Sequence, residues 1–129
     1  APYSIDDNLW GRAIEAGVLE DPWNEPPADI WTMTVDPAEA PDAPTYVEVG
    51  FEKGIPCSLD GEKMGMVELI EKMNKIAGEN GYGRIDMIEN RYVGLKSREC
   101  YEVPAGLALS PPTRRLRTCA WSATCCTPS

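Results

Sequence analysis

The stretch from Glu20 to Pro44 places six prolines and seven acidic residues in twenty-five positions, and it limits the fold more than any other part of the chain. Proline removes a backbone donor and clashes with the preceding helical turn, so this stretch holds neither a long helix nor a central strand. The chain must therefore build its core on both sides of a long connection. Within that connection Trp23, Ile30, Trp31 and Met33 are large apolar groups that a solvated linker rarely carries. The expectation is a loop packed on a surface, which is open to belonging to another domain or subunit.

The flanking segments carry periodic signals. Ser4-Ile5-Asp6-Asp7 has the form of a capping box, and Leu9, Trp10, Ala13, Ile14 and Val18 recur at helical spacing, so a helix is predicted from Ser4 to a left-handed stop at Gly17. Thr45, Val47, Val49 and Phe51 alternate with Tyr46, Glu48, Gly50 and Glu52, which predicts a strand with one apolar face. Gly54 breaks it, Ile55 to Leu59 returns as a partner, and Asp60-Gly61 is a turn dipeptide. The clearest helix runs from Met66 to Gly78, with Met66, Leu69, Ile70, Met73, Ile76 and Ala77 on one stripe. Glu68 with Lys72 and Glu71 with Lys75 form favourable pairs on its exposed side. Arg84 to Asn90 and Tyr92 to Lys96 read as two further short strands. This order implies the α+β class, an antiparallel sheet with flanking helices.

Composition removes several chemistries. The 129 residues fit one domain that buries roughly two-thirds of its unfolded surface. The net charge of -9 disfavours nucleic acid and anionic membranes as partners. The chain has no histidine, which excludes Ser-His and Cys-His nucleophile pairs and histidine-bearing zinc sites. Cys57 and Cys100 are scattered, whereas Cys119, Cys125 and Cys126 crowd the last eleven residues. That odd and uneven set reads as reduced thiols rather than a disulfide framework or a metal site. With no membrane-length apolar run and no secretory signal pattern, a cytoplasmic protein is expected.

On a regular strand Ile85, Met87 and Glu89 share one side, which sets a carboxylate in line with apolar groups. Such a carboxylate either sits at the sheet rim or meets a cation, from the protein or from a ligand. Periodicity leaves that choice open, because Arg91 is an available partner.

Residues 3 to 17, YSIDDNLWGRAIEAG, and residues 84 to 106, RIDMIENRYVGLKSRECYEVPAG, resemble two blocks of the argininosuccinate synthases. The segments EDPWNEPP, VDPAEAPD and FEKGIP fall between them in the family's order. The resemblance spans residues 1 to 109 and implies a partial, citrulline-side synthetase domain. Its family condenses citrulline with aspartate using ATP with magnesium, releases AMP and pyrophosphate, and assembles as a homotetramer. The resemblance further implies that the Ser of Tyr3-Ser4-Ile5-Asp6, the Glu of Ile88-Glu89-Asn90-Arg91 and the Tyr of Tyr101-Glu102-Val103-Pro104-Ala105 contact citrulline. These are Ser4, Glu89 and Tyr101, which bind and orient; no catalytic residue is assigned. Citrulline offers an ammonium to a carboxylate and a polar ureido group to hydroxyls. Many family members carry a second contacting serine where this chain has Ala13, a lost hydroxyl worth about 1 kcal/mol.

The family's glycine-rich phosphate loop and its aspartate-binding residues match nothing here. The resemblance therefore implies that aspartate and ATP would engage a part of the protein outside this chain, and that the chain alone is inactive. Residues 110 to 129 hold three arginines and no acid, against nine basic and 21 acidic residues in 1 to 109. This aberrant tail is expected to be disordered, and Pro112 to Thr118 reads as the product of a one-base frameshift across the family's amphipathic helix. Three readings follow: a ligase fragment, a non-catalytic amino-acid-binding or oligomerisation module, and a nonfunctional truncated product.

Overall fold

A computed structural model of the chain describes residues 3–110 and 122–125. It contains strands β1 (Ser4–Asp7), β2 (Arg12–Glu15), β3 (Glu48–Glu52), β4 (Ile55–Leu59), β5 (Glu62–Lys63), β6 (Arg84–Asn90), β7 (Lys96–Glu102) and β8 (Ser122–Cys125), with helices α1 (Met66–Glu79) and α2 (Pro104–Leu109). Two four-stranded sheets result, in the orders β1-β2-β7-β6 and β5-β4-β3-β8. All pairings are antiparallel except that of β3 with β8. The class is α+β, as the element order implied.

The second sheet and the helices form one core. Val47 and Val49 from the β3 side, Leu59 of β4, Leu69, Ile70, Met73 and Ala77 of α1, and Ala105 and Ala108 of α2 are buried together. The α1 stripe is the predicted one, except that Met66 at the first turn remains 43% exposed. Lys72 reaches Glu68 at 3.5 Å one turn back and Glu62 at 4.0 Å. The turn between β3 and β4 puts Lys53 at φ +51° and Gly54 at φ +79°. That left-handed pair matches the twist of a tight hairpin, and Gly54 accepts it without strain.

The predicted first helix is absent: residues 4 to 15 form the β1–β2 hairpin. Asn8 closes its turn, with Oδ1 accepting from the Trp10 and Gly11 N–H groups at 2.8 and 3.2 Å and its own N–H donating to the Gly11 carbonyl at 3.0 Å. Ser4 therefore pairs in a ladder instead of capping. The apolar spacing misled because Leu9 and Trp10 sit in the turn, 38% and 50% exposed, while Ile14 alone is driven into the core. Strand β2 gains ladder partners on both edges, β1 and β7, and tertiary pairing of this kind overrides local helix signals. Gly17 does adopt a left-handed φ of +59°, but it begins a 3-10 turn over Gly17–Glu20.

The second strand of the later hairpin is also shifted. It starts at Lys96 and runs to Glu102, while residues 91 to 95 form the turn, in which Arg91 N–H donates to the Leu95 carbonyl at 2.8 Å.

The long connection packs on its own chain. Leu19 and Ile30 join Ile14 and Cys100 in a second core, and Trp31 lies under the Arg84 guanidinium at 4.7 Å; Trp23 stays 94% exposed. Most of the tail set apart at residue 110 lies outside the described residues. Residues 122–125 are the exception, forming β8 along the edge of β3 that β4 leaves open, where unpaired backbone groups favour a strand.

Candidate functional site

Strand register decides which side chains of the first sheet share a face. Facing residues in an antiparallel pair point the same way, and each strand alternates. Tyr101 faces Ile85 and Ala13, Glu99 faces Met87, and Ser97 faces Glu89. Ala13 in turn faces Asp6, and Glu15 faces Ser4. Ser4, Asp6, Ala13, Glu15, Met87, Glu89, Glu99 and Tyr101 therefore lie on one side of one sheet.

The opposite side anchors the long connection. There Glu102, with no exposed surface, accepts from Arg12 Nη1 at 3.0 Å, from the Thr32 and Met33 N–H groups at 2.9 Å each, and from Thr34 Oγ1 at 2.7 Å. Arg84 Nε donates to Thr34 Oγ1 at 2.8 Å. A buried carboxylate is tolerated only when charge and lone pairs are both satisfied, and here four donors do so. Arg98 meets Asp86 at 2.5 Å on the same side. Cys100 is buried with its thiol raised to about 11 by burial and by Asp86, so it is an unreactive core group.

On the first side two of the three predicted residues, Tyr101 and Glu89, meet one that was not predicted. Tyr101 Oη donates to Glu99 Oε2, and the carboxyls of Glu89 and Glu15 lie close enough to Glu99 to act on its charge. Tyr101 and Glu89 are thus joined through Glu99, which is only 8% exposed. Ser4 is not brought into contact with Glu89. It sits on β1, three strand spacings from β6, about 14 Å away across the sheet, and Glu15 and Glu99 lie between. Ala13 presents its methyl group directly beside Tyr101.

The electrostatics follow from this crowding. The Glu89 carboxyl is raised by its hydrogen bond to Glu99 and by repulsion from that carboxylate. Glu99 is lowered, mainly by the Tyr101 hydroxyl and then by Glu89. Tyr101 is raised to about 12, because its proton is held by Glu99. Arg91 is the cation that offsets these charges, and it also donates to Ser97 Oγ at 3.2 Å. The face carries an excess of negative charge suited to a small cation. Among the described residues no group of three or more histidines, cysteines and acids is arranged to hold a metal ion, and no helix is long and apolar enough to cross a membrane.

A stability prediction follows from the sign of the Glu89 shift. A carboxyl raised in the folded state favours folding below its unfolded value near 4.5, and that contribution disappears as pH rises through the folded value. At neutral pH the ionised Glu89 therefore works against the fold. Glu89→Gln is expected to raise the melting temperature at pH 7, with the difference vanishing below about pH 4. A melting temperature at pH 7 equal to or below that of the parent would contradict the arrangement.

Glu99 and Glu15 were missed by the sequence reading. The signal for Glu99 was its position two residues before Tyr101, which is informative only once residues 96 to 102 are known to be a strand.

Residues 3–122 match a family model described as the arginosuccinate synthase C-terminal domain. Fold and match together define the chain as an α+β domain of a larger synthase. Curated relatives named argininosuccinate synthase include one from Rubrobacter xylanophilus, 60% identical over 92% of this chain and 29% of the relative. Others come from Trichodesmium erythraeum, 64% identical over 81% of the chain and 26% of the relative, and Pyrococcus furiosus, 61% identical over 83% and 26%. The chain spans less than a third of the length of these relatives. It belongs to the argininosuccinate synthase family.

Proposed function

We propose that this chain is the citrulline-side part of a cytoplasmic argininosuccinate synthase, an ATP-dependent carbon–nitrogen ligase of arginine biosynthesis, and that Ser4, Glu89 and Tyr101 bind citrulline. The observation that carries this reading is the common face: residues from three separate motifs on β1, β6 and β7 end on the same side of one sheet. Glu89 supplies the charge for the ligand ammonium, and a charge-assisted bond of this kind is about twice as strong as a neutral one. Tyr101 and Ser4 offer hydroxyls to the polar groups of the ligand. None of the three attacks the substrate.

The described residues do not fit the nucleotide. Asp6, Glu15, Glu89 and Glu99 crowd the face, and a triphosphate brought against them is repelled. ATP with magnesium, and aspartate, engage parts of the longer relatives that this chain does not span, and the homotetramer is likewise a property of the whole protein. The chain alone binds citrulline without turning it over.

Calorimetric titration of the folded chain with citrulline tests this. Saturable binding is expected, weakened roughly tenfold to a hundredfold by Glu89→Ala, since hydrogen bonds to charged groups are worth about 1.5–3 kcal/mol. Tyr101→Phe should weaken it less. A folded chain that gives no saturable heat at millimolar citrulline defeats the proposal.

A further inference from the structure

The group at the middle of the first sheet's acidic face belongs to none of the motifs that carry the proposed site. Glu99 lies on β7 with Tyr101 two residues further along the same strand, Glu89 reaching it from β6 and Glu15 from β2. It is buried, and it accepts the Tyr101 hydroxyl. A phenol has one proton to donate and lone pairs with which to accept. Once that proton is committed to Glu99, the oxygen can only accept from anything else that approaches.

We propose that Glu99 is a positioning residue that fixes the hydrogen-bond polarity of Tyr101, so that the site selects an amino acid whose side chain ends in N–H donors and refuses one that ends in a carboxylate. This rests on the citrulline reading of the face and deepens it by naming what discriminates among ligands of similar length. A ureido terminus brings N–H groups to the phenol oxygen. A carboxylate terminus brings lone pairs against lone pairs, beside Glu15, Glu89 and Glu99, with Arg91 the cation contributed by the hairpin turn. A site whose polar groups are already oriented rejects a mismatched group because something is left unpaired. The same commitment explains why Tyr101 holds its proton so tightly.

The test compares the full chain with its Glu99→Met and Glu99→Gln variants. Methionine fills the space without accepting the phenol proton, whereas the glutamine carbonyl still accepts it. The first readout needs no ligand: tyrosinate absorbance, after subtraction of the matching Tyr101→Phe protein, with the fold checked by circular dichroism. At about pH 11 Tyr101 should remain largely a phenol in the parent and be mostly ionised in Glu99→Met, nearer the ordinary value of about 10. The second readout is calorimetric binding of citrulline and of 2-aminoadipate, which has a carboxylate in place of the ureido group. The parent should prefer citrulline roughly tenfold to a hundredfold; Glu99→Met should lose most of that preference, and Glu99→Gln should keep most of it. A shifted Tyr101 ionisation with the preference unchanged in Glu99→Met overturns the selectivity role. An unshifted ionisation overturns the positioning role itself. A shift as expected, with neither amino acid binding the parent, overturns the citrulline reading and the selectivity built on it, and leaves the coupling of Glu99 to Tyr101 standing.

Discussion

Glu102→Ala is expected to lose about 4 kcal/mol of folding stability, in the range found when one partner of a buried ion pair is removed. The carboxylate is completely buried, and its loss leaves the Arg12 guanidinium, 11% exposed at its side chain, without its buried counter-charge. The Thr32 and Met33 N–H groups and the Thr34 hydroxyl lose their acceptor at the same time. Arg12 keeps Asp7 at 2.8 Å, but Asp7 is exposed and cannot reproduce the buried contact. A domain of this size is stable by only about 5–15 kcal/mol, so the loss consumes a large share. Urea unfolding provides the measurement, with a fall in midpoint at unchanged slope. Because the carboxylate ties the 32–34 segment to β7, limited proteolysis of the variant should cut within residues 20–44 before the rest of the chain. A stability change below 1 kcal/mol would show that the network is not what holds the long connection.

Gly78→Ala should destabilise the protein by about 3 kcal/mol, the upper end of the overpacking range, although helix propensity taken alone predicts a gain of about 1 kcal/mol. Gly78 lies near the end of α1 and is buried. A Cβ built on it collides with the backbone carbonyl oxygen of Met33. Backbone is the costliest neighbour to move here, because the Gly78 carbonyl also accepts the Val35 N–H at 2.9 Å. Moving Met33 away from the helix also strains its bond to Glu102. Thermal unfolding of the two proteins side by side distinguishes the signs, and a melting temperature raised by the substitution would refute the close packing of residues 33–35 against α1. The two predictions share the 32–35 segment, so their effects are expected to be less than additive when combined.

Some of this protein was legible in its residues. The alternation from Val47 to Phe51 and the stripe of α1 each contain their own answer, because the period of the apolar groups matches the period of the element that buries them, and Gly54 marks the break between β3 and β4. The first hairpin did not announce itself. Ser4-Ile5-Asp6-Asp7 satisfies a helix start as well as a strand, and only the presence of β7 beside β2 selects between them. Glu89 and Tyr101 stand in motifs that single them out along the chain, whereas Glu99 does not. Its importance comes from lying between residues twelve positions apart in the chain, a relation created by the β6–β7 register. Glu102 was equally silent, since the donors that satisfy it come from a connection about seventy residues earlier.

By itself the sequence determined the family, the α+β class and the core built on α1. Local periodicity and ordered motifs are written along the chain, and they survive without knowledge of what lies beside them. Tertiary structure alone decided that residues 4 to 15 pair as strands, that the proline-rich connection is tied down by one buried carboxylate, and that a third glutamate stands between Glu89 and Tyr101. Those outcomes depend on groups far apart in sequence meeting at hydrogen-bond distance, where the cost of leaving a buried polar group unpaired outweighs the modest local preference of any single segment.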